Sequence, residues 1–283
     1  CFYWGCPNVS DYINPLAYVQ LDMNDFEASY VTMAEAIRDN LWEKRIEYIR
    51  EEKKKVLEKY NFFPTLETVI REHQQNVCFI HSCHLQNSGT ESLDLLLANV
   101  LPHKDIGAIY IHNIGLPLPE GKYIDPRIRI HHESDNPHEY ELPTLRRISE
   151  FCQRNPRAKV LYLHTKGISY TKNDPRYSKV QDWIHYMLYF ICKVPDCLKL
   201  LDSYDTAGCN YQENPHKHYS GNFWWSTAKY INTLSTDTLT NKMSAEWWIL
   251  SGKANSYVLS MTNVNHFYES FPRESYASTS PLS

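Results

Sequence analysis

Four stretches of the chain, HSCHLQNSG (81–89), HNIG (112–115), HHESD (131–135) and HTKG (164–167), follow apolar runs and carry groups that bind ligands or move protons. In an open α/β sheet, ligands sit beyond the carboxyl ends of the strands, so such strand ends are where chemistry is expected. HTKG is the most informative of them. KVLYL before it reads as a buried strand that delivers His164, Thr165, Lys166 and Gly167 to the sheet edge. Gly167 permits positive φ and close approach of backbone to a ligand, and Lys166 supplies a compact cation suited to a phosphate oxygen. His81 ends the first such strand in the same way. The competing reading is an ordinary strand-to-loop turn with a surface lysine, and four residues do not decide between them.

Two further stretches carry candidate groups. Written as a strand, HYSGNFWW (218–225) puts Ser220, Asn222 and Trp224 on one face, beside His218 at its start, with Tyr219, Gly221, Phe223 and Trp225 on the other. The first face could read a sugar, with the Trp224 ring under the pyranose and the polar groups on its hydroxyls; Trp225 is expected to be core. SAEWWILSG (244–252) places a single acid, Glu246, in an apolar helix, where an unpaired carboxylate is costly. It either caps or pairs structurally, or serves as a base near a reacting hydroxyl. Asp205, in SYDTAG, is the other acid at an element end. Thirteen histidines invite a metal reading, with His164 the nearest candidate ligand, but their spacings match no zinc signature such as HExxH. GxGxxG, GKS/GKT and GxSxG are absent from the sequence, which removes dinucleotide-binding, P-loop and serine-hydrolase classes as leading readings.

The elements that must position these residues fall into two grammars. Residues 1–5 (CFYWG) read as a short buried strand, CPNVSDYINP as a loop and LAYVQLDM as a second strand. Asn24 with Glu27 resembles a capping box, and Trp42, Ile46, Ile49, Val56 and Tyr60 line one face of a long helix, with REEKKK its solvated side. Pro64 ends that pattern, LETVIREH (66–73) predicts a last helix, and 73–76 is the linker. From residue 77 onward apolar strands (VCFIHSC, IGAIYIHNIG, RIRIHHES, KVLYLHTKG) alternate with amphipathic helices (SLDLLLANVL, TLRRISEFCQRN). That alternation predicts a mostly parallel α/β sheet flanked by helices. Helical VQDWIHYMLYFIC and CLKLLDSY follow, and the Ser- and Tyr-rich tail is expected to be loose.

Composition narrows the function classes. The 283 residues, 42% hydrophobic, can bury a real core. With 29 Lys and Arg against 33 Asp and Glu, a net charge of −4 supplies no field for nucleic acid or an acidic membrane. No run reaches the length of a membrane span and no leader resembles a signal peptide. The eight cysteines form no CxxC and read as mostly reduced core thiols. That suits a cytoplasmic setting, and a Golgi setting would need an anchor outside this sequence.

On YLHTKGIS, DW..YM, CNY, HYSGNFWW and AEWWI, residues 77–270 resemble a group of bacterial and giant-virus glycosyltransferase-like domains with a GT-A-type nucleotide-sugar fold. The resemblance implies transfer of a sugar from a nucleotide-diphosphate donor to a glycan, glycoprotein or other hydroxyl acceptor. On it, His81, His164, Thr165, Lys166 and Gly167 would face the donor; His218, Ser220, Asn222 and Trp224 the sugar or acceptor; and Glu246 or Asp205 would be the base, with Lys166 stabilising the departing diphosphate. HTKG stands where that fold usually has Asp-x-Asp, so departure assisted by Mn²⁺ or Mg²⁺ and departure without metal both stay open. YWGCPNVSDYINP, with the helices after it, resembles the C-terminal end of the α-1,3-fucosyltransferases, a GT-B fold using GDP-fucose. Residues 1–72 would then be an incomplete Rossmann-like segment, which explains a chain opening as if inside a strand. Two rivals follow: a fucosyltransferase whose second domain is accessory, and a non-catalytic carbohydrate-binding or scaffold module.

Overall fold

In the computed structural model, which describes residues 1–61, 63, 65–66, 76–86 and 90–277, the chain divides into two compact units, Cys1–His73 and Gln74–Ser283. Beyond Leu66, the expected helix at 66–73 lies outside the described residues, as does most of the 73–76 linker.

The first unit pairs β1 (Phe2–Tyr3) with β2 (Val19–Gln20) in parallel, followed by α1 (Phe26–Arg38), α2 (Leu41–Lys44) and α3 (Ile46–Lys55). Asp25, rather than Asn24, caps α1, its carboxylate accepting the Ala28 N–H at 3.0 Å. The single long helix expected here is broken at Asn40, whose φ of 49° is left-handed. CFYWG is not buried, since Phe2 and Trp4 are exposed. Only Ala17, Ser29 and Ala36 are buried among the described residues of this unit.

The second unit is built on a seven-stranded sheet. Its strands are β3 (Asn76–His84), β4 (Ala108–Gly115), β5 (Ile128–Ser134), β6 (Lys159–His164), β7 (Thr206–Cys209), β10 (Trp224–Thr227) and β11 (Ser256–Ser260), in the order β11-β7-β10-β6-β3-β4-β5. All neighbouring pairs are parallel except those of β10, which runs antiparallel to both β6 and β7. β8 (Tyr211–Gln212) and β9 (His218–Tyr219) form a separate small ribbon. The helices are α4 (Glu91–Val100), α5 (Leu142–Arg154), α6 (Tyr177–Ile191), α7 (Val194–Leu200), α8 (Ala228–Ile231) and α9 (Lys242–Trp247).

Strand alternation divides the core into two layers. On one face Cys78, Ile80, Ile109, Ile111, Leu161, Leu163 and Trp225 pack against α4 and α6. On the other, Val77, Phe79, Val160, Tyr162 and Trp224 pack against α5, α8 and α9. The mostly parallel α/β sheet expected from the sequence is thus present, with β10 as an antiparallel member that the sequence did not announce. The tail is ordered further than its polarity suggested, because His266 stacks on Trp183 of α6 and Phe271 and Tyr276 meet Tyr186 edge-on. Among the described residues no helix is long and apolar enough to cross a membrane. All eight cysteines are free, five of them buried.

Candidate functional site

The chain lays β4 and β5 on one side of β3 and β6 on the other, so the strand order reverses between β3 and β6. That is the place where an open sheet leaves a crevice at its carboxyl edge. A cleft of about 400 Å³ opens there, lined by His81 and Cys83 from β3, Glu141 from the start of α5, His164–Gly167 after β6, and Lys242 and Glu246 from α9.

The HTKG turn forms the floor of this cleft. Thr165 closes β6 onto β3: its N–H donates to the His81 carbonyl and its Oγ1 accepts the Cys83 N–H, both at 2.9 Å. Gly167 has φ +75°, and a Cβ there would meet Val180 of α6 at 2.8 Å, so the turn needs glycine on two counts. Lys166 is thereby held half-buried with its ammonium 4.1 Å from the centre of the Trp183 ring. Among the described residues it makes no hydrogen bond or ion pair. Burial lowers its pKa, against the opposing pull of Glu246 and Glu141, and Lys242 lowers it further.

His164 is fixed from the other side. Its Nε2–H donates to the Gly221 carbonyl at 3.1 Å, which leaves Nδ1 as a lone pair facing Glu141 Oε1 at 3.4 Å. Burial and the nearby Lys166 charge push its pKa down to about 4, and burial does the same to His81, whose Nδ1 meets the Thr144 hydroxyl at 2.9 Å. Both rings are neutral at pH 7. Among the described residues no group of three His, Cys, Asp or Glu is placed to hold a metal ion. The His164 Nε2–H is already committed to the Gly221 carbonyl.

The structure brings together His81, His164, Thr165, Lys166, Gly167 and Glu246, and it separates the remaining candidates. Asp205 lies at the opposite edge of the sheet, before β7, where its Oδ2 accepts the Asn255 N–H at 2.9 Å. His218 sits on the β8/β9 ribbon, its Nδ1 donating to the His216 carbonyl. The Ser220 N–H donates to the Asn210 carbonyl, and neither His218 nor Ser220 lines the cleft.

HYSGNFWW is not one strand, because Gly221 (φ +96°) and Asn222 (φ +56°) turn the chain between β9 and β10. Trp224 is consequently as buried as Trp225, each 0% exposed, on opposite faces of the sheet. Neither is a sugar platform. Asn222, also 0% exposed, accepts the Trp224 Nε1–H at 3.1 Å and donates to the Ala245 carbonyl at 3.4 Å. It tethers α9, and with it Lys242 and Glu246, to the start of β10. Glu246 itself is half-exposed on the cleft wall rather than enclosed in an apolar helix.

Glu141, Lys242 and Tyr140 were not singled out from the sequence. Pro143 at the second position of α5 marks the helix start and could have flagged Glu141 just before it. Tyr140 precedes it at φ +52°, a positive φ that a bulky residue adopts only under constraint. A second overlooked signal is a repeated triplet: Phe79-Ile80-His81, Tyr110-Ile111-His112, Arg129-Ile130-His131 and Tyr162-Leu163-His164. The register places the four histidines side by side across β6, β3, β4 and β5. His112 and His131 stack at 5.1 Å, and the His112 Nδ1 bonds Glu133 at 2.7 Å, which Arg147 also holds.

Residues 71–270 match the family described as Domain of unknown function (DUF8361), and the chain belongs to that family. Among solved structures, a crystal structure of 4-diphosphocytidyl-2C-methyl-D-erythritol synthase is similar at 8% identity and a TM-score of 0.34, covering 71% of this chain and 96% of that one. No curated protein matches the chain in sequence.

Proposed function

We propose that the unit Gln74–Ser283 is a GT-A-like glycosyltransferase that moves a sugar from a nucleotide-diphosphate donor to a hydroxyl of a glycan or glycoprotein. One observation carries this reading: at the sheet's switch point the cleft joins the unpaired Lys166 ammonium and Lys242 to the carboxylates Glu141 and Glu246. Transfer needs both kinds of group. As the acceptor oxygen bonds the anomeric carbon, the hydroxyl proton must leave and the C–O bond to the diphosphate must break. The two lysines supply positive charge where the departing diphosphate gathers negative charge. Glu246 is the carboxylate on the open wall that an acceptor reaches, and it takes the hydroxyl proton.

The binding-only reading cannot use Trp224, which is buried, and would rest on Tyr140, Tyr170 and Phe267 of the cleft lining. Calorimetric titration of the full chain with UDP and GDP tests the proposal. Saturable binding of one nucleotide is expected, followed by hydrolysis of one of its sugar conjugates, and indifference to both nucleotides overturns it.

A further inference from the structure

Glu141 is 7% exposed, and among the described residues its buried Oε2 has no hydrogen-bond partner. Its other oxygen meets His164 Nδ1 at 3.4 Å. That contact joins two acceptors, because the Nε2–H of the same ring is committed to the Gly221 carbonyl. The cation that could have paired with the carboxylate, Lys166, is drawn over the Trp183 ring instead. Leaving a buried carboxylate without donors is costly. The fold nonetheless holds Glu141 there, at the mouth of α5, directly after Tyr140 with its positive φ. Glu141 Oε2 and the His164 Nδ1 lone pair are thus two acceptors to which the described residues bring no donor, and a ligand rich in hydroxyls supplies what is missing.

Resting on the glycosyl-transfer reading, we infer that Glu141, with His164, is the specificity-determining pair that accepts hydrogen bonds from hydroxyls of the transferred sugar. The diphosphate on Lys166 places the sugar against this wall, since Glu141, His164 and Lys166 line one cleft. Nucleotide and diphosphate then bind through other residues, and the hydroxyls of the sugar are read here. A site built to bond a hydroxyl discriminates strongly against a ligand that lacks it, because the buried acceptor is left unpaired.

The test compares sugar conjugates with their own nucleotides. UDP-glucose, UDP-galactose, GDP-mannose and GDP-fucose are titrated against UDP and GDP on the full chain, in wild type, Glu141→Ala and Glu141→Gln. In wild type one conjugate is expected to bind more tightly than its free nucleotide. In Glu141→Ala that advantage falls by about 10- to 100-fold, the scale of hydrogen bonds to a charged group, while affinity for the free nucleotide is kept. A purely structural role for Glu141 would weaken nucleotide and conjugate together. Should the alanine variant fail to fold, Glu141→Gln serves, because its amide can donate to His164 Nδ1 and keep the packing while the charge is lost. Nucleotide binding with no conjugate advantage in wild type, or an advantage that survives both substitutions, overturns this inference and leaves the transferase reading standing. Absence of any nucleotide binding removes both.

Discussion

Lys166 and Trp224 show how far residue type constrains role. Lys166 rests on an aromatic face and carries little of the core, so Lys166→Met should leave the melting temperature of the chain nearly unchanged, a cation–π contact of this kind contributing about 1 kcal/mol. Donor turnover should fall roughly 10²–10³-fold, the loss seen when one preorganised donor to a developing charge is removed. Donor hydrolysis with and without EDTA checks this, and activity that vanishes with chelator while surviving the substitution assigns the charge to a metal instead. Trp224 belongs to stability. Truncation to Ala should cost about 3–5 kcal/mol, and Trp225→Ala should cost a similar amount, because each ring is fully enclosed in its own core layer. Urea melts of the two variants settle it, and a Trp224→Ala protein that melts like wild type contradicts the burial described here.

At the scale of elements, the histidine row couples the sheet to pH. Free imidazole titrates near 6.5, whereas His81 and His164 are held at about 4 by burial. Between those values the unfolded chain takes up protons that the folded sheet refuses, so stability is complete above about pH 6.5 and declines as pH falls toward about 4. The two sites together contribute on the order of several kcal/mol. His112 is also lowered by burial, against the opposing pull of Glu133, and its share has the same sign. Urea midpoints measured from neutral pH down to about pH 4.5 should decrease steadily, and a flat profile excludes the row as the cause. The sheet was legible because KVLYL, IGAIYI and VCFI announce buried strands by composition. The turn at 220–223 was not, because only Gly221 breaks an otherwise alternating pattern, and one glycine reads equally as a bulge. Glu141 escaped notice for a different reason: it becomes a cleft residue only when the start of α5 comes to the ends of β3 and β6, which no local spacing encodes.

The whole molecule is uneven. The second unit encloses two core layers of its own, whereas the first leaves Phe26, Tyr30, Ile37 and Trp42 exposed around three small buried residues. Residues 74–283 made alone should therefore melt cooperatively, and residues 1–73 made alone should not. Calorimetry of the two pieces checks both statements, and a sharp transition from the shorter one refutes the second. The lone antiparallel strand β10 has a consequence for how the sheet is completed as the chain leaves the ribosome. β3, β4, β5 and β6 are all made by His164, but the outer edge of β6 has no partner until Trp224–Thr227 emerges. Throughout that interval the nascent chain displays an open row of amides and carbonyls beside a growing apolar layer, the kind of surface that recruits chaperones or a second chain. Synthesis speed across 165–223 thus becomes a determinant of yield.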